Sequence, residues 1–458
     1  MGLFDIFGGG KKRAAEEEKI AEEQKQREHD RLTEEAKQAH EGMPWPSVVP
    51  LNRMKKKDDD VKALAEDPIS EERKEELGQL IFEPKITADD IKDLSLQEVI
   101  FLYQAHALLN KKSALPDYEQ NSRVFYNEVL RRIHEAKQLY MLINKQTGYP
   151  LLDGPFGLVY LEEDHAKKAA ELYSQQFRQA VAVTRPGEAA PLTEDGKQPI
   201  ALFDYLYYLG IENVLIDNGW YKLPIKRSEI SAPPTSFVSD NAKRNDPPAD
   251  PALQFAMIDF ENEARWPVKY EKRDELLKAK MARVNELIPA AKFVVPVQEL
   301  SGEANTQAPG EKTGREVKLP AVKLKAKKAD TGEEMDMNFL PVFTDLFEYA
   351  KGFNQPGYRP AVFPFDRVLG LLGAVNGFVI NPRGESVVVP KEQAALMLQA
   401  KLKKDNPAQY EQLQKNLRAM AEARAKAMEK AKAAGAGATG DDKVVQFPGN
   451  HHQPEGEN

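Results

Sequence analysis

The stretch Gly377-Phe378-Val379-Ile380-Asn381-Pro382-Arg383-Gly384-Glu385-Ser386-Val387-Val388-Val389 decides the reading of the fold. The apolar run 377–380 predicts a short buried strand. Asn381, Pro382, Arg383 and Gly384 supply the chemistry of a tight turn, and 386–389 reads as a second strand. A helix at 365–372 precedes them, with Phe365, Val368 and Leu369 on one face. An earlier stretch has the same plan. The helix 202–209 carries Phe203, Leu206 and Tyr207 on one face, and Asn213-Val214-Leu215-Ile216 reads as a strand. Asp217-Asn218-Gly219 is a turn, and 220–223 a returning strand. Phe203-Asp204 opens one helix and Phe365-Asp366 the other. Ile216 falls 13 residues after Phe203, and Ile380 falls 15 after Phe365.

The likeness extends upstream. In the first series a helix at 124–137 leads to a strand at 139–143, the turn Thr147-Gly148, a strand at 156–161, a helix at 163–177 and a strand at 180–183. In the second, a helix at 274–287 leads to a strand at 293–297. A hairpin through Asp330-Thr331-Gly332 enters a strand at 339–343, followed by a helix at 345–350 and a strand at 361–363. Ala136-Lys137 precedes the opening strand of one series, and Ala291-Lys292 that of the other. A shared order of elements predicts an internal duplication. The fold class expected is α+β: two related small α/β units, at 122–230 and 274–390, each a mixed sheet with flanking helices, plus N-terminal and C-terminal helical arms. A charged helical or disordered arm and linker fills 1–60, and a helical lead-in fills 61–121. A proline-rich linker or strap occupies 231–273. C-terminal helices are expected at 391–435, before a disordered tail.

In the second series, residues 293–297, then Phe339-Leu340-Pro341-Val342-Phe343-Thr344, Val362-Phe363-Pro364-Phe365 and Gly377 to Pro382 resemble the SseB N-terminal-domain family, named for enhanced sensitivity to serine. The resemblance covers about residues 290–400. The first series keeps the pattern loosely, through Leu158-Val159-Tyr160 and Ile216-Asp217-Asn218, without the proline. The resemblance implies a small α/β domain with no established enzymatic activity, and it brings no catalytic residues with it.

Composition narrows the functional classes. The chain has 458 residues, 41% hydrophobic and 30% charged, with a formal net charge of −8. An acidic balance argues against sequence-independent binding to nucleic acid. The absence of cysteine excludes disulfides, thiolate catalysis, iron–sulfur clusters and cysteine zinc sites. Met1 to Phe7 is apolar but breaks into three glycines before its basic residues, the reverse of signal-peptide order. No run reaches the roughly 20 apolar residues of a spanning helix, so a cytoplasmic location is expected. Phosphate-loop, dinucleotide-binding, nucleophile-elbow and HExxH patterns are missing. No enzyme activity and no cofactor or metal are expected, and the pair His451-His452 is too small to be a metal site.

Candidate functional residues are few. Asp217, Asn218 and Trp220 in one turn, and Asn381 and Arg383 in the other, follow strands where ligands dock, although the same residue types serve tight turns. Trp220-Tyr221 reads either as an exposed aromatic contact or as an alternating pair with one ring inside. Lys323, Lys325 and Lys327 form a basic strand face that would meet an acidic partner, or protect an edge strand. His106 shares a helix face with Val99, Leu102, Tyr103 and Leu109, as a packed histidine does, and Ser95 with Glu98 forms a capping box. Residues 14–41 read as a solvated charged helix or disordered arm without a core stripe. Tyr410, Leu413, Leu417 and Met420 suit docking onto a domain or, over about two heptads, pairing with a second chain.

The reading is therefore a non-enzymatic interaction or regulatory protein with a protein partner. One alternative is a small-metabolite sensor or uncharacterised enzyme with a site between the two units. The other is a peripheral membrane scaffold anchored by Leu3, Phe4, Ile6 and Phe7.

Overall fold

A computed structural model describes residues 7–49, 51, 65–83, 85–234, 250–299, 317–327, 334–353 and 355–408, with isolated positions beyond. By its internal contacts the chain forms two units. The first comprises 1–144, 156–205 and 212–233; the second comprises 145–155, 206–211 and 234–458.

The first unit opens with α1 (Phe7–His40). Its middle is exposed, with Arg31 bonded to Glu28 and Glu35. The expected lack of a buried face fails toward its end, where Ala36 is fully buried. Past His40 the chain turns back. Trp45 lies 4.0 Å from the His40 ring and 5.8 Å from Phe101, and it donates Nε1 to Glu75. Short helices α2 (Glu71–Gly78) and α3 (Ala88–Ile91) lead to α4 (Leu96–Lys112) and α5 (Tyr118–Glu135). The capping box forms as expected: Ser95 Oγ accepts from Glu98 N, and Ser95 N donates to the Glu98 carboxylate. Val99, Ile100, Phe101 and Leu102 are all fully buried, so α4 is covered on more than one face.

In chain order there follow β1 (Gln138–Asn144), β2 (Leu152–Asp153, in a segment counted with the second unit), β3 (Phe156–Tyr160), α6 (Glu163–Gln175), β4 (Ala180–Pro186), α7 (Leu202–Tyr208, divided after Tyr205), β5 (Asn213–Ile216) and β6 (Leu223–Lys226). The sheet path is β4-β1-β3-β5-β6. β1 runs antiparallel to both neighbours, and β3 is parallel to β5 with Leu158 opposite Leu215. β5 and β6 are antiparallel. A parallel pair requires a long crossover, here α6, β4 and α7. β1 sits between two strands with both faces covered, so Leu139 to Leu142 are all buried rather than alternating.

The second unit holds α8 (Pro251–Ala264), α9 (Arg273–Leu287), β7 (Lys292–Glu299), β8 (Val317–Lys318), β9 (Val322–Lys327), β10 (Glu334–Val342), α10 (Leu346–Gly352), β11 (Arg359–Pro364), α11 (Phe365–Leu371), β12 (Gly377–Ile380), β13 (Val387–Pro390) and α12 (Lys391–Asp405). β11 is antiparallel to β7. Reciprocal backbone bonds of 2.8 and 2.9 Å between Val294 and Phe343 join β7 antiparallel to the end of β10. β10 is parallel to β12, and β12 antiparallel to β13. The path β11-β7-β10-β12-β13 therefore has the connection order and strand senses of β4-β1-β3-β5-β6. Its core gathers Phe293, Phe365 and Phe378 with Val342, Val368, Ile380 and Val389. An added hairpin, β9 with the first part of β10, extends one edge. On β9, Val322, Leu324 and Ala326 pack inward while Lys323 and Lys325 are exposed, so the expected alternation is present and the strand is an edge.

One strand differs from expectation. Residues 220–222 are not strand; β6 begins at Leu223. Trp220 and Tyr221 lie in the turn, and both rings are buried, at 6% and 1% exposure. Strand alternation does not apply because these residues precede the strand. Leu3, Phe4 and Ile6, residues 235–249, the turn 330–332, the Lys327 side chain, Leu413, Leu417, Met420 and the histidine tail lie outside what is described.

Candidate functional site

Both parallel strand pairs end at a residue in the left-handed region: Asp217 after β5, with φ 51°, and Asn381 after β12, with φ 47°. Asp and Asn tolerate this conformation because their short polar side chains bond locally. Each does so in the same way. Asp217 N donates to Val159 O at 2.9 Å, and Asn381 N donates to Val342 O at 2.9 Å. Leu161 N donates to Asp217 Oδ1 at 3.4 Å, and Thr344 N donates to Asn381 Oδ1 at 3.1 Å. The side chain thus ties the end of one parallel strand to the chain leaving its neighbour.

Each also meets a glutamine from a helix far upstream. Gln97, on the first turn of α4, donates Nε2 to Asp217 Oδ2 at 2.8 Å and accepts from Tyr221 N at 2.9 Å. Gln254, on the first turn of α8, accepts from Asn381 Nδ2 at 3.0 Å. All four side chains are at most 4% exposed.

The surroundings then diverge. In the first unit His165, the third residue of α6, places Nδ1 3.2 Å from Asp217 Oδ2 and Nε2 3.7 Å from Glu162. Its ring stacks on Trp220 at 4.3 Å and 16°. Burial alone would lower its pKa, but the bond to Asp217 and the charges of Asp217, Glu162 and Asp164 outweigh it, so the group sits above its ordinary value. Both ring nitrogens face carboxylates. The two carboxylates favour the protonated imidazolium over the neutral ring. Asn218 donates to the Tyr173 hydroxyl at 2.7 Å, and the Tyr160 hydroxyl donates to Asn218 O at 2.9 Å. Tyr221 donates its hydroxyl to Asp67, which pairs with buried Lys74 at 2.9 Å.

In the second unit the third residue of α10 is Glu348. Burial raises its pKa, and Lys351 and the Tyr149 hydroxyl offset this only in part. Asp345 caps α10, accepting from Phe347 N at 2.8 Å and Glu348 N at 2.9 Å, and it accepts from Thr344 Oγ1 at 2.9 Å. Burial nevertheless raises its pKa. Glu385 is fully buried, and neither of its carboxyl oxygens makes a hydrogen bond. Burial pushes its pKa well up; Thr147 and Lys351 oppose the rise, and Glu261 and Glu348 reinforce it. The protonated form is therefore favoured over the carboxylate. Among the described residues, no group of three or more His, Asp or Glu side chains is placed to hold a metal ion.

The strand order, the αL asparagine after the second parallel strand and the elements around it all fall in one matching segment. Residues 274–395 match the SseB protein N-terminal domain. The SseB match covers about a quarter of the chain and takes in Glu348, Asn381 and Glu385 but neither Gln254 nor Tyr149. No curated protein and no solved structure matches the chain. No helix among the described residues is long and apolar enough to cross a membrane.

Of the turn candidates, Asp217, Asn218, Trp220 and Asn381 are buried and Arg383 is exposed; Lys323 and Lys325 on β9 are exposed as well. The polar groups of Asp217, Asn218 and Asn381 face the protein's own helices. His106 is a packed histidine, bonded to Ser122 Oγ at 2.9 Å, and burial lowers its pKa to about 4. Sequence reasoning missed Gln97, Gln254, His165, Glu348, Glu385 and Tyr149. The Ser95 capping box fixes Gln97 on a first helical turn, but no local pattern ties it to residue 217.

Proposed function

We propose that this chain is a non-enzymatic interaction or regulatory protein of the SseB type that works in the cytoplasm, built from two copies of one α/β unit whose outer surfaces bind protein partners. The carrying observation is what happens at the ends of the parallel strands. α/β sheets place ligands there, and here Gln97 bonds Asp217 and Gln254 bonds Asn381, both pairs inside the protein. The common strand path and the common glutamine bond support the duplication, and they extend it to the helices α4 and α8.

Two measurements on the purified full chain test the function. One is a thermal-shift screen against serine, nucleotides and other metabolites at millimolar concentration, since a ligand of the folded state must raise apparent stability. The other is native purification at mild salt. A stoichiometric protein partner with no small-molecule shift agrees with the proposal. A saturable shift with one metabolite, or no partner at all, counts against it.

A further inference from the structure

The two turns differ three residues after their αL residue. The first unit has Trp220 there and the second has Gly384. Trp220 lays its indole on His165, the third residue of α6. Gly384 has no ring to lay on Glu348, the third residue of α10. The ring found there is Tyr149, from segment 145–155, which belongs to the second unit by its contacts.

Tyr149 is only 1% exposed. A Cβ on Gly384 would collide with its hydroxyl oxygen and stand 2.9 Å from Cε2 and Cζ. Gly384 is not among the residues of positive φ, so space rather than backbone conformation calls for glycine. Lys351 Nζ lies 4.0 Å from the centroid of the Tyr149 ring, a cation–π contact. Asn262 fixes the same segment, donating to Pro150 O at 3.1 Å and accepting from Leu152 N at 3.4 Å. The result is a glycine floor, a cation over the ring, a carboxyl group near the hydroxyl and backbone clamps on the residues that follow Tyr149.

We propose that Gly384, Glu348 and Lys351 form a pocket for a phenol side chain, that Tyr149 fills it as a built-in ligand, and that the tyrosine of an extended peptide is the ligand class it accepts. The inference stands independently of which partner the outer surfaces bind. Segment 145–155 acts as a competitor within the same chain, and a tethered competitor is favoured over a free peptide by its effective concentration.

The test uses full-length Tyr149→Ala. 4-Methylphenol should raise its melting temperature in a saturable way, as apolar cavities take up ring compounds, and should leave the wild-type chain unshifted. A labelled peptide of residues 145–155 should bind Tyr149→Ala at least tenfold more tightly than wild type, and the same peptide with its tyrosine replaced by alanine should not bind. Failure of both the phenol and the peptide to act on a folded Tyr149→Ala protein overturns the proposal. Should that variant not fold, Gly384→Ala serves instead. It should expel the ring and make 145–155 a protease-sensitive site, and unchanged resistance overturns the pocket.

Discussion

Gln97 and Asp217, 120 positions apart in the chain, meet at 2.8 Å in the interior, and the same glutamine accepts from the backbone of Tyr221. One side chain thereby satisfies a buried carboxylate and a buried amide. Gln97→Leu keeps the bulk and removes both bonds, leaving the Tyr221 N–H without its partner and Asp217 held by His165 and Leu161 N alone. The expected loss is roughly 2–3 kcal/mol, read as a shift in the urea midpoint. Gln254→Leu, facing neutral Asn381, should cost less, about 1–2 kcal/mol.

His165 makes the first unit sensitive to pH. Its folded pKa is raised, so its contribution is fully present below the unfolded value of about 6.5 and disappears as pH rises through the folded value. Trp220 reports the event, because a charged imidazole stacked on an indole quenches its emission. Fluorescence should rise as pH increases through this window in the wild type. His165→Gln and Trp220→Phe should each remove that step while the other tryptophans still emit.

Glu385 predicts a slope of the same sign from the opposite chemistry. An acid whose folded pKa is raised ionises more readily once unfolded, so stability falls as pH rises from the unfolded carboxylate range toward the raised folded value. Glu385→Gln should flatten this slope and leave the protein more stable at pH 8 by roughly 1 kcal/mol or more. A denaturation series across pH 5–9 compares the two, and a Gln variant as pH-dependent as wild type contradicts the assignment.

Lys323 and Lys325 of β9 are exposed, and such lysines are expected to act against edge pairing. Lys323→Val with Lys325→Val should leave thermal stability nearly unchanged and produce concentration-dependent association by light scattering. An equally monodisperse double variant would assign the lysines some other role.

Much of the architecture was legible in the residues. The strands and helices of both series follow from apolar runs and helix-spaced faces, and the alternation at 322–326 marked an edge strand. Phe203 with Leu206 and Phe365 with Val368 are buried as the helical spacing requires. The error at Trp220-Tyr221 came from applying strand alternation to residues that lie ahead of the strand, which begins at Leu223. α4 was read only as a lead-in, although it supplies the glutamine that closes the first turn.

The sequence by itself determined the local conformations: capped helix starts, short buried strands, and the Asp217 and Asn381 turns, whose left-handed backbone selects Asx residues. Propensity, capping and turn chemistry act over a few neighbouring residues, so they are written in short stretches. Only the tertiary structure decided that Gln97 reaches Asp217, that His165 lies on Trp220, and that Tyr149 fills the space above Gly384. Those pairings join residues far apart in the chain. They arise when packing removes water and obliges each buried polar group to find a partner, a requirement no local pattern records.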